Sequence, residues 1–130
     1  MESPWQLFFD SLGPIAWAGL TATVPLALVS FLLGLVIAVG VALMRISVHP
    51  VVSGVARFYI SVIRGTPMLV QLFVIFYGMP SIGITLDPWP SAIIALSLNV
   101  GGYGAEVVRA AILSVPKGQW EAAYTVGMNR

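Results

Sequence analysis

Charged residues divide the chain into long apolar runs. Residues 11–44 hold no charge over 34 positions, residues 65–86 none over 22, and residues 88–105 none over 18. At 1.5 Å per residue, a helix needs about 20 mostly apolar residues to cross a bilayer. Three such runs predict three crossings. The first run is too long for one straight span, so its start is expected at the interface and the span itself over residues 20–43. Within it Ser30, Gly34, Ala38 and Ala42 recur every four residues. That spacing puts small side chains on one helix face, where another helix can approach closely. The third span, residues 91–113, repeats the device with Ser97, Gly101 and Ala105. Two such stripes point to a packed bundle rather than an isolated anchor.

The second crossing is interrupted. Arg64-Gly65-Thr66-Pro67 breaks the run over residues 58–77. Thr66 suits an N-cap and Pro67 a first helical position. The pattern predicts an interfacial helix over residues 58–66, a break, and a short span over residues 67–79, roughly 20 Å long. Gly78-Met79-Pro80 is expected to end it. Gly83, Asp87, Pro88 and Pro90 then mark an outer loop over residues 81–90. After Ser114-Val115-Pro116, good helix formers run from Gln119 to Ala123, with Gly127 beyond them. They predict a short helix at the membrane face, not a span.

Basic residues orient the bundle. With three spans, Arg45, Arg57, Arg64, Arg109, Lys117 and Arg130 fall on one side, and Glu2, Asp10 and Asp87 on the other. The N-terminus is therefore expected outside and the basic side in the cytoplasm. Trp5, Trp17 and Trp89 then lie near the outer interface, either as an aromatic belt or packed on neighbours. A signal peptide fits poorly, because Glu2 stands where a basic start is usual and the apolar run exceeds a signal core.

Composition narrows the class further. Hydrophobic residues make up 58% of the 130 positions and charged residues 8%, against about 45–50% and roughly 25% in soluble proteins. So few charges cannot cover the surface of a soluble domain. Without cysteine there is no disulfide scaffold. A net charge of +1 leaves little to neutralise a nucleic acid. The apolar excess excludes disorder. His49, beside Pro50 and away from any acid cluster, reads as a solvated loop residue. No metal site, bound cofactor or enzyme active site is expected.

Polar side chains within the spans are few. Gln71 lies inside Leu-Val-Gln-Leu-Phe and Asn99 in the middle of the third span. A buried amide in lipid must find a partner or face a cavity. The pair therefore reads either as an interhelical hydrogen bond or as a wall of a polar transport path. Glu106 and Arg109, three apart, share a helix face. They read as a local ion pair, or as a gate or contact to another subunit.

Several stretches resemble a known family. Glu121-Ala122-Ala123, three residues and then Gly127 are similar to the EAA signature of ATP-binding-cassette importer permeases. Arg64-Gly65-Thr66-Pro67-Met68-Leu69-Val70-Gln71-Leu72-Phe73 resembles the second-span motif of its polar amino-acid branch. Gly102-Tyr103-Gly104-Ala105-Glu106-Val107-Val108-Arg109 resembles the third-span motif, and Ile112-Leu113-Ser114-Val115-Pro116-Lys117-Gly118-Gln119 the run into the signature. The Gly101–Gly104 stretch is richer in glycine than the family's alanine-containing version.

The resemblance implies an all-α membrane protein with three transmembrane helices and a short cytoplasmic coupling helix, the N-terminal part of a type I importer permease. It implies that residues 116–130 form the coupling region, with Gln119, Trp120, Glu121, Ala122, Ala123, Tyr124 and Gly127 touching a cytoplasmic ATPase. Arg64, Gly65, Thr66, Pro67, Glu106 and Arg109 would form a structural motif or gate, and Gln71 and Asn99 the substrate path. The implied partners are the ATPase, a second permease subunit and a periplasmic or tethered amino-acid-binding protein. The setting is the lipid bilayer of the bacterial cytoplasmic membrane. The permease carries no nucleotide-binding motif and is not itself an enzyme. The family's signature continues beyond Gly127 into two more spans, so a chain ending at Arg130 is expected to be a fragment or truncated product. The competing expectation is a small membrane scaffold that binds a partner through its cytoplasmic loop.

The orientation is directly testable. With cysteine placed at Ser3, Ser53 or Ser81, a membrane-impermeant thiol reagent on intact cells should label positions 3 and 81 but not 53. Labelling at 53 alone overturns the topology.

Overall fold

Ser3 opens the first helix. Its Oγ accepts a hydrogen bond from the N–H of Gln6, and Pro4 takes the first position, where no N–H is needed. From there the chain is helical to Arg45, as α1 (Pro4–Ala18), a widened π-turn (Gly19–Thr23) and α2 (Val24–Arg45). These 42 residues span roughly 63 Å at 1.5 Å each, about twice the hydrocarbon core. The computed structural model describes residues 3–129, so Glu2 and Arg130 lie outside the described residues.

Residue 20, expected to begin the first span, lies inside this continuous helix. The π-turn marks the place instead. Its cause is Pro25, which has no N–H for the carbonyl four residues back and whose ring crowds that carbonyl. Widening the turn over Gly19–Thr23 accommodates the proline without ending the helix. The same device recurs later. The helix α4 (Met68–Phe73) runs through a second π-turn (Val74–Gly78) into α5 (Met79–Ser81), which carries Pro80. Gly78-Met79-Pro80 nevertheless ends the helix as expected, with Ser81 the last helical residue. The chain leaves at Ile82, and Gly83 turns with φ +90°.

Helix α3 (Pro50–Gly65) starts well before the expected residue 58. His49 is its N-cap, with Nδ1 accepting from the N–H of Val52 at 3.5 Å. Ala56, Ile60 and Ile63 form its buried face. The cap expected at Thr66 is one residue further on. Thr66 is extended (φ −120°, ψ 144°) and closes α3, while Pro67 caps α4. Pro67 is itself extended (φ −65°, ψ 147°), so the first helical residue is Met68 and the cap moves with it. Across this break the chain bends by 107°.

Helix α6 (Pro88–Leu113) begins slightly earlier than residue 91, with Pro88 and Pro90 in its first turn. Helix α7 (Lys117–Thr125) follows the Ser114–Pro116 connection. Among the described residues, Pro4–Arg45 and Pro88–Leu113 are each long and apolar enough to cross a membrane. The bent pair Pro50–Gly65 and Met68–Ser81 passes the same test only when taken together.

The most extensive packing joins α2 to α6. Ser30, Gly34, Ala38 and Ala42 are all buried, as are Ala95, Ser97, Gly101, Gly102 and Ala105. A Cβ on Gly34 would lie 2.5 Å from Val100 Cβ. One on Gly101 would overlap Ile37 and come within 2.9 Å of the Tyr59 hydroxyl, and one on Gly102 would meet Ile63 at 2.5 Å. The glycines thus let α2, α3 and α6 meet almost backbone to backbone. Leu32, Val36, Leu69 and Val107 point outward, as expected where lipid is the solvent.

Overpacking this junction has a calculable effect. Gly34→Leu and Gly102→Val should each destabilise the bundle by about 1–3 kcal/mol. Gly40→Ala, with nothing within 4 Å of the added methyl, should change stability by less than about 0.5 kcal/mol. Denaturant titration in bicelles measures both.

Candidate functional site

Two groups of side chains carry the polar chemistry. The first lies at the helix break. Gln71 sits in the first turns of α4, and helical side chains lean back toward the N-terminus. Its Nε2 therefore reaches the carbonyl of Ile63 at 3.0 Å, that of Thr66 at 3.2 Å and Thr66 Oγ1 at 2.9 Å. Its Oε1 accepts from Asn99 Nδ2 on α6 at 3.1 Å. The two amides are thus joined between helices, and both are only partly exposed. Thr66 Oγ1 in turn donates to the carbonyl of Val62 at 2.8 Å. Arg64 and Pro67 are exposed, and Gly65 has open space around it.

Further along α6, Arg109 Nη2 pairs with Glu106 Oε2 at 3.1 Å, with side chains 29% and 25% exposed. Partial burial removes hydration from both ions, so the pair's own net gain is modest, but losing either partner leaves a poorly hydrated charge unpaired.

The second group is α7 and its surroundings. Pro116 is its N-cap, and Lys117 and Glu121 approach to 3.9 Å on an exposed face, a pair that adds little. The helix closes by a double backbone hydrogen bond. Gly127 N–H donates to Tyr124 O and Met128 N–H to Ala123 O, both at 3.1 Å, with Gly127 at φ +83°. This is the Schellman arrangement, which favours glycine because the left-handed conformation penalises a Cβ. Trp120, Glu121 and Tyr124 line a groove of about 1070 Å³ with Leu43, Ile46 and Leu113 from the ends of α2 and α6. Gln119 and Ala122 are exposed and lie outside that lining, and Ala123 is half-buried.

Tyr59 was not among the residues singled out by sequence. Its hydroxyl donates to the carbonyl of Leu98 and ties α3 to α6 one residue from Asn99. The usable signal was the recurrence of Ala56, Tyr59, Ile60 and Ile63 at three- and four-residue spacing. It is seen only once α3 is extended back to Pro50.

A family model for binding-protein-dependent transport system inner membrane components matches residues 32–130. The chain belongs to that family. This transport-system membrane component is 54% identical over 125 residues to the L-cystine transport system permease protein TcyB of Bacillus subtilis (strain 168), covering 96% of the chain and 53% of that protein. It is 42% identical to the nopaline transport system permease protein NocM of Agrobacterium fabrum, covering 95% of the chain and 55% of that protein. It is 38% identical to the arginine transport system permease protein ArtQ of Bacillus subtilis (strain 168), covering 88% and 53%. The chain spans about half the length of the curated relatives it matches. A crystal structure of an amino acid ABC transporter with histidines superposes with a TM-score of 0.84 at 35% identity, over 100% of this chain and 60% of that one. The all-helical architecture of this family member is that of an importer permease, and its apolar helices make it a membrane protein.

The Glu106–Arg109 geometry yields a double-mutant expectation. Glu106→Gln or Arg109→Gln alone should lower stability by about 1 kcal/mol, since each leaves a partly buried charge unpaired, and the double variant should recover part of that loss. Denaturation midpoints of the four proteins in bicelles give the coupling.

Proposed function

We propose that the chain forms part of the permease subunit of an ATP-driven polar amino-acid importer in the bacterial cytoplasmic membrane. The observation that carries this reading is the family match over residues 32–130 together with relatives named as permeases. Their names share transport and differ in cargo: cystine, nopaline and arginine. The class of cargo therefore comes to this chain, and no single amino acid does. The N-terminus is outside, a second permease subunit completes the membrane part, and a periplasmic or tethered binding protein delivers the amino acid. Asn99 lies on the translocation path and Gln71 stands behind it. Arg64–Pro67 and the Glu106–Arg109 pair are the structural motif and gate.

The reading assigns α7 to the ATPase. The helix leaves α6 through the Ser114–Pro116 connection, so a push on it reaches the membrane bundle directly. Gln119 and Ala122 offer an outward face for docking, and Ala122 and Ala123 permit close approach. Glu121 accepts charge-assisted hydrogen bonds from the partner. Trp120 and Tyr124, four apart on one face and both exposed, supply apolar anchors for the partner. Coupling requires that the two states of the ATPase bind this helix unequally, since equal affinity shifts nothing.

The test uses the transporter assembled with its ATPase and binding protein. Gly127→Asp and Glu121→Lys should reduce ATPase association or substrate-stimulated hydrolysis about tenfold, roughly the effect of losing 1.4 kcal/mol of coupling, while insertion stays normal. Normal association and normal coupled transport in both variants would sink the assignment.

A further inference from the structure

We propose that Gln71 is the positioning residue of the helix break, its carboxamide standing in for the N–H that Pro67 lacks. Helix α3 ends with carbonyls that have no N–H from a following turn. In a continuous helix the N–H of residue 67 would serve the carbonyl of Ile63, and proline has none to give. That carbonyl is nevertheless satisfied, by Gln71 Nε2 at 3.0 Å. The same nitrogen holds Thr66 O at 3.2 Å and Thr66 Oγ1 at 2.9 Å, while Thr66 Oγ1 donates to Val62 O at 2.8 Å. One amide and one hydroxyl thus gather the polar groups that the break sets free.

The remaining oxygen fixes the direction of the bend. Gln71 Oε1 accepts from Asn99 Nδ2 at 3.1 Å, which refers the break to α6. Three acceptors share the two hydrogens of Nε2, and Oε1 is engaged as well. Gln71 therefore has no donor to spare for a cargo. In hydrocarbon, an unsatisfied carbonyl has no water to turn to. Without the amide, the next backbone donor for Ile63 O is the N–H of Met68, reached through a widened turn like those before Pro25 and Pro80, which straightens the helix. The transport consequence rests on the importer reading above, whereas the geometry of the break does not.

The test measures the bend directly. The chain has no native cysteine, so spin labels can be placed at Gly54→Cys and Ser81→Cys, both exposed, in the full-length chain in lipid nanodiscs. A straight helix separates these sites by about 40 Å, and the bend brings them to about 25 Å. Gln71→Leu should lower the ratio of short to long distances about tenfold, as for one buried polar group left unsatisfied. Pro67→Ala/Gln71→Leu, which returns an N–H to residue 67, should accumulate like the parent and give one long distance. An unchanged short distance in Gln71→Leu overturns the proposal. So does failure of the double variant to accumulate when Gln71→Leu also fails. In the assembled transporter Gln71→Leu should lower the maximal rate and leave the half-saturating amino-acid concentration within about twofold. A raised half-saturating concentration with an unchanged bend makes Gln71 a cargo contact instead. Absence of amino-acid transport by the parent protein would count against the importer reading and leave the distance result standing.

Discussion

The near-contact of the α2 and α6 backbones is the constraint on which the rest of the structure depends. Small residues do not attract one another strongly. They permit two helices to come close enough for many weak dispersion contacts along their length. Gly34 against Val100, and Gly101 against Ile37, leave no room for a side chain on either glycine. That approach sets the height at which α6 runs. It also sets where α3 can lie, because Ile63 fills the space beside Gly102 and Tyr59 reaches the Leu98 carbonyl. The break after α3 and the start of α4 are placed by the same packing, which brings Gln71 opposite Asn99.

The break is the region where apolar packing alone is insufficient. A bend of 107° exposes backbone polar groups, and a membrane interior gives them no water. The local answer uses short-range chemistry, with Thr66 bonding back to Val62 and Gln71 to Ile63 and Thr66. Arg64 meets the opposite demand. Its charge would cost roughly 2.5–3.5 kcal/mol at the bilayer centre on insertion scales, so it belongs where the side chain can reach the interface. Its exposure at the end of α3 fits that need. A sharp turn with a charged outer side and an amide-lined inner side follows from these two requirements.

Much of this was legible in the residues. Charge-free runs indicated where helices long and apolar enough to cross a membrane lie, and the four-residue stripe from Ser30 to Ala42 named a face that is buried throughout. Run length was the misleading signal at the start: it placed the first span from residue 20, whereas the helix runs unbroken from Pro4 through a π-turn to Arg45. Gly78-Met79-Pro80 read correctly as an end, with Ser81 the last helical residue. Thr66 misled because Pro67 is itself extended and caps α4, while Thr66 Oγ1 bonds back to Val62 O. The Gln71–Asn99 hydrogen bond could be suspected from polarity. It could not be identified, because the pair is 28 residues apart and only the packing of α4 against α6 specifies which amides meet.

The C-terminal helix stands apart from this packing. Helix α7 has nine residues, too few to be stable alone in water. Its shape depends on its ends: Pro116 fixes the entry and the paired hydrogen bonds around Gly127 fix the exit. Trp120 and Tyr124 turn to the groove formed with Leu43, Ile46 and Leu113, while Gln119 and Ala122 stay outside it. The groove side is mixed, since Lys117 and Glu121 line it beside Trp120 and Tyr124. Among the described residues α7 joins the bundle through the Ser114–Pro116 connection, while Trp120 and Tyr124 stay exposed. Because the glycines hold α2 and α6 close, the end of α6 from which that connection leaves is fixed to α2 rather than free to swing.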